Sequence, residues 1–189
     1  MLLYHRRKKM AKYYSTKRYG NDRGLSCCFR QWKSTHSHCS LLHGYSIGIE
    51  LVFVSETLDD KNWVMDFGGL KAFKEWSEYM FDHTLVIAED DPNIEFFKQM
   101  DKLDGGYNNM GICDLRIVKD VGCERFSEIA YNTMQDILHT YKQGQAWQLK
   151  DVNGNVLNEF VPRYPVGNTV KLQSVEVFEH DANSAMYEG

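Results

Sequence analysis

Apolar and polar positions divide the chain into short strands and three amphipathic helices. Leu25 to Trp32 is compatible with a strand, and Lys33 to Leu42 is polar, rich in histidine and without helical period. Tyr45 to Val54 is β-rich and long enough for a good strand. Asp59-Asp60-Lys61-Asn62 reads as a turn and Trp63-Val64-Met65 as a return to extended structure, which predicts an antiparallel hairpin. Leu70, Phe73, Trp76 and Met80 recur at helical spacing, so a helix is expected to about Met80. A shorter helix follows Pro92, over Asn93 to Lys102. Cys113 to Val118 alternates as a strand. Glu124 to Tyr141 carries Phe126, Ile129, Ala130, Met134, Ile137, Leu138 and Tyr141 on one side, and Gly144 is a natural stop. Asn153-Gly154 suggests a tight hairpin turn between Leu149 and Phe160, and Leu172 to Glu179 alternates as a last strand. This order predicts one α+β domain, with helices on one face of an antiparallel sheet.

Composition changes this picture little. Hydrophobic residues are 43%, charged residues 25% and aromatics 13%, which is globular and excludes wholesale disorder. Charge is more informative. Residues 1–23 hold eight Lys/Arg against one Asp, net +7, while the other 166 residues hold 14 basic and 25 acidic side chains, net −11. The body is acidic, which argues against a nucleic-acid-coating surface, and residues 1–20 read as a basic extension. No run of 18 apolar residues exists, so no membrane span is expected. Five cysteines (Cys27, Cys28, Cys39, Cys113 and Cys123) fit reduced thiols in a cytoplasmic protein.

The densest reactive segment is Thr35-His36-Ser37-His38-Cys39-Ser40-Leu41-Leu42-His43-Gly44-Tyr45. Histidine and cysteine bind zinc and move protons near neutral pH. His43 and Tyr45, two apart at a strand entrance, share a face. Asp82-His83 follows a helix end, where the carboxylate can orient the ring for proton transfer. Glu179 at a strand end can accept two N–H donors from a guanidine-like heterocycle. Glu124 opens the long helix, where a negative charge is favourable.

In order along the chain, these segments resemble the 6-pyruvoyltetrahydropterin synthase and 6-carboxytetrahydropterin synthase family. Cys39-Ser-Leu-Leu-His43-Gly44-Tyr45 resembles the family's Cys-x-x-x-His-Gly-His motif. Met65-Asp66-Phe67-Gly68-Gly69-Leu70-Lys71 is similar to its Val-x-Asp-Phe-x-x-Leu-Lys segment, and Phe81-Asp82-His83-Thr84-Leu85 to its Leu-Asp-His-x-x-Leu motif. Glu124 falls at its helix-opening Glu, and Val177-Phe178-Glu179 with Ala185-Met186-Tyr187 at its closing strand. The resemblance implies a tunnelling fold: a four-stranded antiparallel sheet backed by helices, in a homo-oligomer (a hexamer or other ring) with active sites between subunits. The domain is then 21–189, with 145–169 an inserted decoration.

The implied activity is a lyase acting on 7,8-dihydroneopterin triphosphate. The three residues between Cys39 and His43 point to the 6-carboxytetrahydropterin product of the 7-deazaguanine (queuosine) route. The alternatives are the 6-pyruvoyl product, or a non-catalytic pterin- or purine-binding member without zinc. Cys39 would be the proton-transferring thiolate, Asp82 and His83 a helper pair, and Glu179 the pterin anchor, with Glu124 a second candidate. The family's zinc is held by three histidines. Only His43 keeps its place here; Tyr45 replaces another ligand and would instead hydrogen-bond substrate. His38 and His36 are the nearby candidates to rebuild a zinc site, and His180 stands where the family has Thr.

Overall fold

A computed structural model describes residues 11–106 and 111–189, and ten strands and three α-helices lie among them. One antiparallel sheet runs in the order β1 (Tyr13–Tyr19), β4 (Gly48–Ser55), β9 (Lys171–His180) and β10 (Asn183–Tyr187). A second runs β3 (His43–Ser46), β2 (Ser26–Phe29), β5 (Thr84–Ala88) and β6 (Leu115–Val118). In it β2 is antiparallel to β3 and parallel to β5, and β5 is parallel to β6. The helices are α1 (Lys71–Phe81), α2 (Ile94–Met100) and α3 (Cys123–Lys142). β7 (Trp147–Lys150) and β8 (Val156–Phe160) make a separate hairpin.

The core forms where α1 and α3 meet the first sheet. Phe126, Ala130, Met134, Ile137 and Leu138 repeat every three or four residues of α3 and are buried together with Phe73, Ile49, Leu51, Phe53, Val175 and Val177. Each such large side chain contributes about 1.5–3 kcal/mol by leaving water. α3 ends as expected: Gln143 caps it and Gly144 takes the left-handed φ of 70°. α1 is entered through a 3-10 turn, Phe67–Leu70, whose Asp66 carboxylate accepts the Gly68 N–H at 2.9 Å.

The expected four-stranded antiparallel sheet with helices on one face is present, but four local expectations are corrected. First, Tyr13–Tyr19 belongs to the sheet as its edge strand rather than to a basic extension; the first ten residues lie outside those described. Second, Tyr45–Val54 is not one strand. It breaks at Ile47, so β3 joins one sheet and β4 the other. Third, the 63–65 segment makes no hairpin with β4, whose partners are β1 and β9. The Asp59 carboxylate instead accepts the Lys61 and Trp63 N–H groups, folding the loop on itself. Fourth, the 145–169 segment is anchored, because Trp147, Leu149 and Phe160 are buried in the core and Trp147 Nε1–H donates to Asp136 on α3.

Candidate active site

The site is built where the second sheet, the His-rich loop, the start of α3 and the end of β9 meet. The β2–β3 register sets Cys27 against Tyr45 and Phe29 against His43. Gly44 lies between them because a side chain there would come within 3.0 Å of the Cys27 carbonyl. Residues 27, 29, 43 and 45 therefore share one face, and three of them form a ring cluster. Phe29 and His43 are 4.8 Å apart, His43 and Tyr45 5.6 Å, and Phe29 and Tyr45 6.1 Å, between centroids. Phe29 is locked from behind by an edge contact with Phe126 at 5.1 Å, and His180 approaches Tyr45 to 6.2 Å.

The His-rich loop is pinned by its backbone. The Gln31 N–H donates to the Cys39 carbonyl at 2.8 Å, and the Ser37 hydroxyl accepts the Cys39 N–H at 3.2 Å, opening a 3-10 turn over His38–Ser40. His43 Nδ1–H donates to the Leu41 carbonyl at 2.8 Å, which fixes the tautomer and leaves Nε2 as the ring's lone-pair nitrogen.

Glu179 reaches the site from β9 by a phase change in that strand. Between Leu172 and Ser174 the β9–β4 register shifts by one residue, a bulge. It brings Leu172, Val175 and Val177 onto the core side, so Glu179, next in the alternation, points toward the start of α3. There it neighbours the buried Cys123 thiol. Burial first, then the Glu179 and Glu124 carboxylates, push that thiol up to about 12, so it stays protonated. The Tyr45 phenol also titrates above its ordinary value, first through partial desolvation and then through Glu179, Cys39 and Cys123. These shifts place Tyr45, Cys39, Cys123 and Glu179 in one neighbourhood.

Gly122 opens α3 with φ of 123°, a conformation side chains rarely adopt. A Cβ there would lie 2.7 Å from Gln31 Nε2 and 3.6 Å from Glu124 Oε2, so the Gln31 amide and the Glu124 carboxylate flank the same glycine.

Asp82 and His83 are elsewhere. His83 Nδ1–H donates to Asp82 Oδ1 at 2.8 Å, and the ring is 86% exposed. The β2–β5 register puts His83 level with the start of β2, whereas His43 is level with its end. His83 holds a left-handed φ of 57° and borders a separate cavity with Cys113 and Asp114.

The donors present do not suit a zinc ion. Tetrahedral zinc needs four donors, three or four of them from protein. On the face that carries His43, the other two ring positions are a phenyl and a protonated phenol. Among the described residues no three His, Cys, Asp or Glu side chains are placed to hold a metal ion. The zinc set expected from His43, His38 and His36 is thus not assembled.

His43 and Tyr45 share one face of the second sheet, Glu179 and Glu124 lie beside Cys123 at the start of α3, and Asp82 and His83 lie level with the other end of β2. Phe29, Gln31 and Cys123 are additional. Phe29 carried no signal beyond strand periodicity. Gln31 could have been found only from its proximity in space to the helix start.

An antiparallel sheet backed by helices, with carboxylates and a thiol at the start of α3 beside a ring cluster, defines an α+β domain with one chemically dense region. A sequence profile of 6-pyruvoyl tetrahydropterin synthase matches residues 21–154, and the chain belongs to that family. Over 57 residues it is 35% identical to the 6-carboxy-5,6,7,8-tetrahydropterin synthase of Rickettsia typhi and 33% identical to that of Rickettsia felis. Each match covers 30% of this chain and 41% of the relative, so the chain spans about two fifths of the length of the curated relatives it matches. A crystal structure of an uncharacterized protein from Wolinella succinogenes superposes with TM-score 0.63 at 16% identity, covering 94% of this chain and 98% of that one. That of 6-pyruvoyl tetrahydropterin synthase from Plasmodium vivax gives 0.55 at 12%, covering 94% and 97%. The fold is the tunnelling fold.

Proposed function

We propose that this chain binds a reduced pterin and acts as a lyase on the side chain of 7,8-dihydroneopterin triphosphate, consuming one water and giving 6-carboxy-5,6,7,8-tetrahydropterin, acetaldehyde and inorganic triphosphate on the way to 7-deazaguanines. The observation that carries this reading is the pair of carboxylates, Glu179 and Glu124, beside Cys123 at the start of α3, with the Tyr45 phenol near Glu179 and Cys39. A pterin presents a ring N–H beside an exocyclic amine, and a carboxylate accepts both in a fork. Glu179 takes this part, with Glu124 and the Gln31 amide alongside. Cys39 takes and returns the side-chain proton, and the Tyr45 hydroxyl donates to a side-chain oxygen as charge develops there. The names of the curated relatives support the carboxy product.

Asp82 and His83 enter this reading through assembly. Their exposed, hydrogen-bonded pair serves the pocket of a neighbouring copy in a ring homo-oligomer, whose strands join at the free edges β1 and β10. No helix among the described residues is long and apolar enough to cross a membrane.

Incubating purified protein with 7,8-dihydroneopterin triphosphate and separating the pterins tests the proposal. Acetaldehyde with the 6-carboxy product supports it, and a 6-pyruvoyl product moves the chain to the other branch. Absence of turnover together with neopterin binding favours a second reading, a non-catalytic pterin-binding member. The specific observation behind that reading is the Phe29–His43–Tyr45 ring cluster, which offers a single free imidazole nitrogen.

A further inference from the structure

We infer that the site holds its heterocycle without a metal ion, and that His43 and Tyr45, backed by the buried Phe29, form a contact wall for the side chain of the ring rather than a chelating site for it. The inference rests on the pterin-pocket reading above, and concerns the subsite beside the ring.

The argument begins with β-sheet register. Pairing of Phe29 with His43, and of Cys27 with Tyr45, projects four side chains from one face of two strands. A metal there would draw its donors from these positions. Phe29 supplies none, and it cannot leave: it is 1% exposed and held edge-on by Phe126, itself fully buried and tilted against Phe81 at 5.2 Å. Tyr45 offers a phenol rather than a ring nitrogen, and Cys27 is 2% exposed with its thiol pushed up to about 12 by burial. His43 has spent Nδ1 on the Leu41 carbonyl, so Nε2 is the one lone pair directed outward from the cluster.

What the cluster offers instead is area. His43 and Tyr45 are half-buried, meet nearly edge to face at 88°, and continue to His180. Such a wall gains from apolar contact, and its Tyr45 hydroxyl supplies a hydrogen bond but no chelation to the side chain of the ring. The Glu179 and Glu124 side of the pocket still reads the edge of the heterocycle. Ligands of this site are therefore 2-amino-4-oxo heterocycles, distinguished at the far end by shape rather than by chelation.

The test uses the full chain. The protein is incubated with zinc sulfate, desalted and assayed for metal, and its affinity for neopterin and for 6-methylpterin is measured by fluorescence with and without EDTA. Expected are less than about one tenth of an equivalent of zinc, and affinities for both pterins unchanged by EDTA within about twofold. The double variant Phe29→His with Tyr45→His, checked for folding by circular dichroism, is expected to retain about one equivalent of zinc, because it completes three imidazoles on one face.

One equivalent of zinc on the unaltered chain, with EDTA weakening neopterin by tenfold or more, overturns the inference. Failure to bind either pterin, with no zinc retained, instead sinks the pterin reading on which the inference rests. If the double variant does not fold, zinc retention by the unaltered chain decides alone.

Discussion

The two halves of the pocket differ in how far they are also the fold. On the ring side, Phe29 is a core residue that happens to face the site: it belongs to the same buried cluster as Phe126, Phe81 and Val177. On the carboxylate side, Glu179 and Glu124 sit at the end of a strand and the start of a helix, and neither holds a buried layer together. Chemistry written on core side chains can change only with the packing. Chemistry written at element ends can change alone. The ring side therefore sets what the pocket can hold, and the carboxylate side sets how tightly it holds a heterocycle.

The sharpest way to break this contrast is to truncate each side. Phe29→Ala is expected to lower stability by about 3–5 kcal/mol, read from urea unfolding, since it opens a cavity against Phe126. A loss under about 1 kcal/mol would place Phe29 outside the core and end the distinction. Glu179→Ala is expected to weaken neopterin by about 100-fold while moving stability by no more than about 0.5 kcal/mol. Unfolding without loss of binding would reverse the assignment of the two sides.

Acid provides a milder probe of the ring side. Arg30, next to Phe29, donates Nε–H and a terminal N–H to the buried Asp91 carboxylate at 2.8 and 2.6 Å. Burial alone would raise the Asp91 pKa, but these bonds, the Asn93 N–H and the Arg30 charge outweigh it and hold the carboxyl below its ordinary value. A depressed pKa adds stability above the unfolded value of about 3.9, and that share is lost as pH falls through the lower folded value. Unfolding followed by tryptophan fluorescence should thus show an acid-linked loss below about pH 4 that Asp91→Asn abolishes.

The smallest effect is kinetic. Cys27 and Cys123 are buried and each is pushed up to about 12, chiefly by burial, so Cys39 should be alkylated by iodoacetamide before either, as peptide mapping would show. Equal rates would mean that the Cys123 end of the pocket is open to water.

Much of this was readable from residue order. The periodic apolar face of α3, the Asn153-Gly154 turn and the Cys39–Tyr45 motif identify helix, hairpin and family. What escaped had physical reasons. β5, Thr84-Leu85-Val86-Ile87-Ala88, is buried on both faces between parallel neighbours, so it shows no alternation and merges with the preceding motif. β1, Tyr-Tyr-Ser-Thr-Lys-Arg-Tyr, carries no apolar alternation and is largely exposed as an edge strand, so its charge masked it. The bulge in β9 inverts the phase read from Leu172 to Glu179: simple alternation groups Leu172 with Glu176, yet Leu172 is buried on the side of Val175 and Val177. Periodicity could not place Phe29 against His43 either, because register is a property of two strands and neither one encodes it alone.

Ile47 gives the molecule a mechanical property. The chain leaves the second sheet at Ser46 and enters the first at Gly48, so one residue carries it across. That residue is fully buried, with its N–H held by the Leu25 carbonyl at 2.9 Å. A junction so short has no slack. Force applied at Tyr45 by an arriving ligand passes three residues later into β4, the inner strand that pairs with both β1 and β9. Filling the pocket and stiffening the sheet are then the same event, and slowed amide exchange at Ile47 and Ile49 would be its signature.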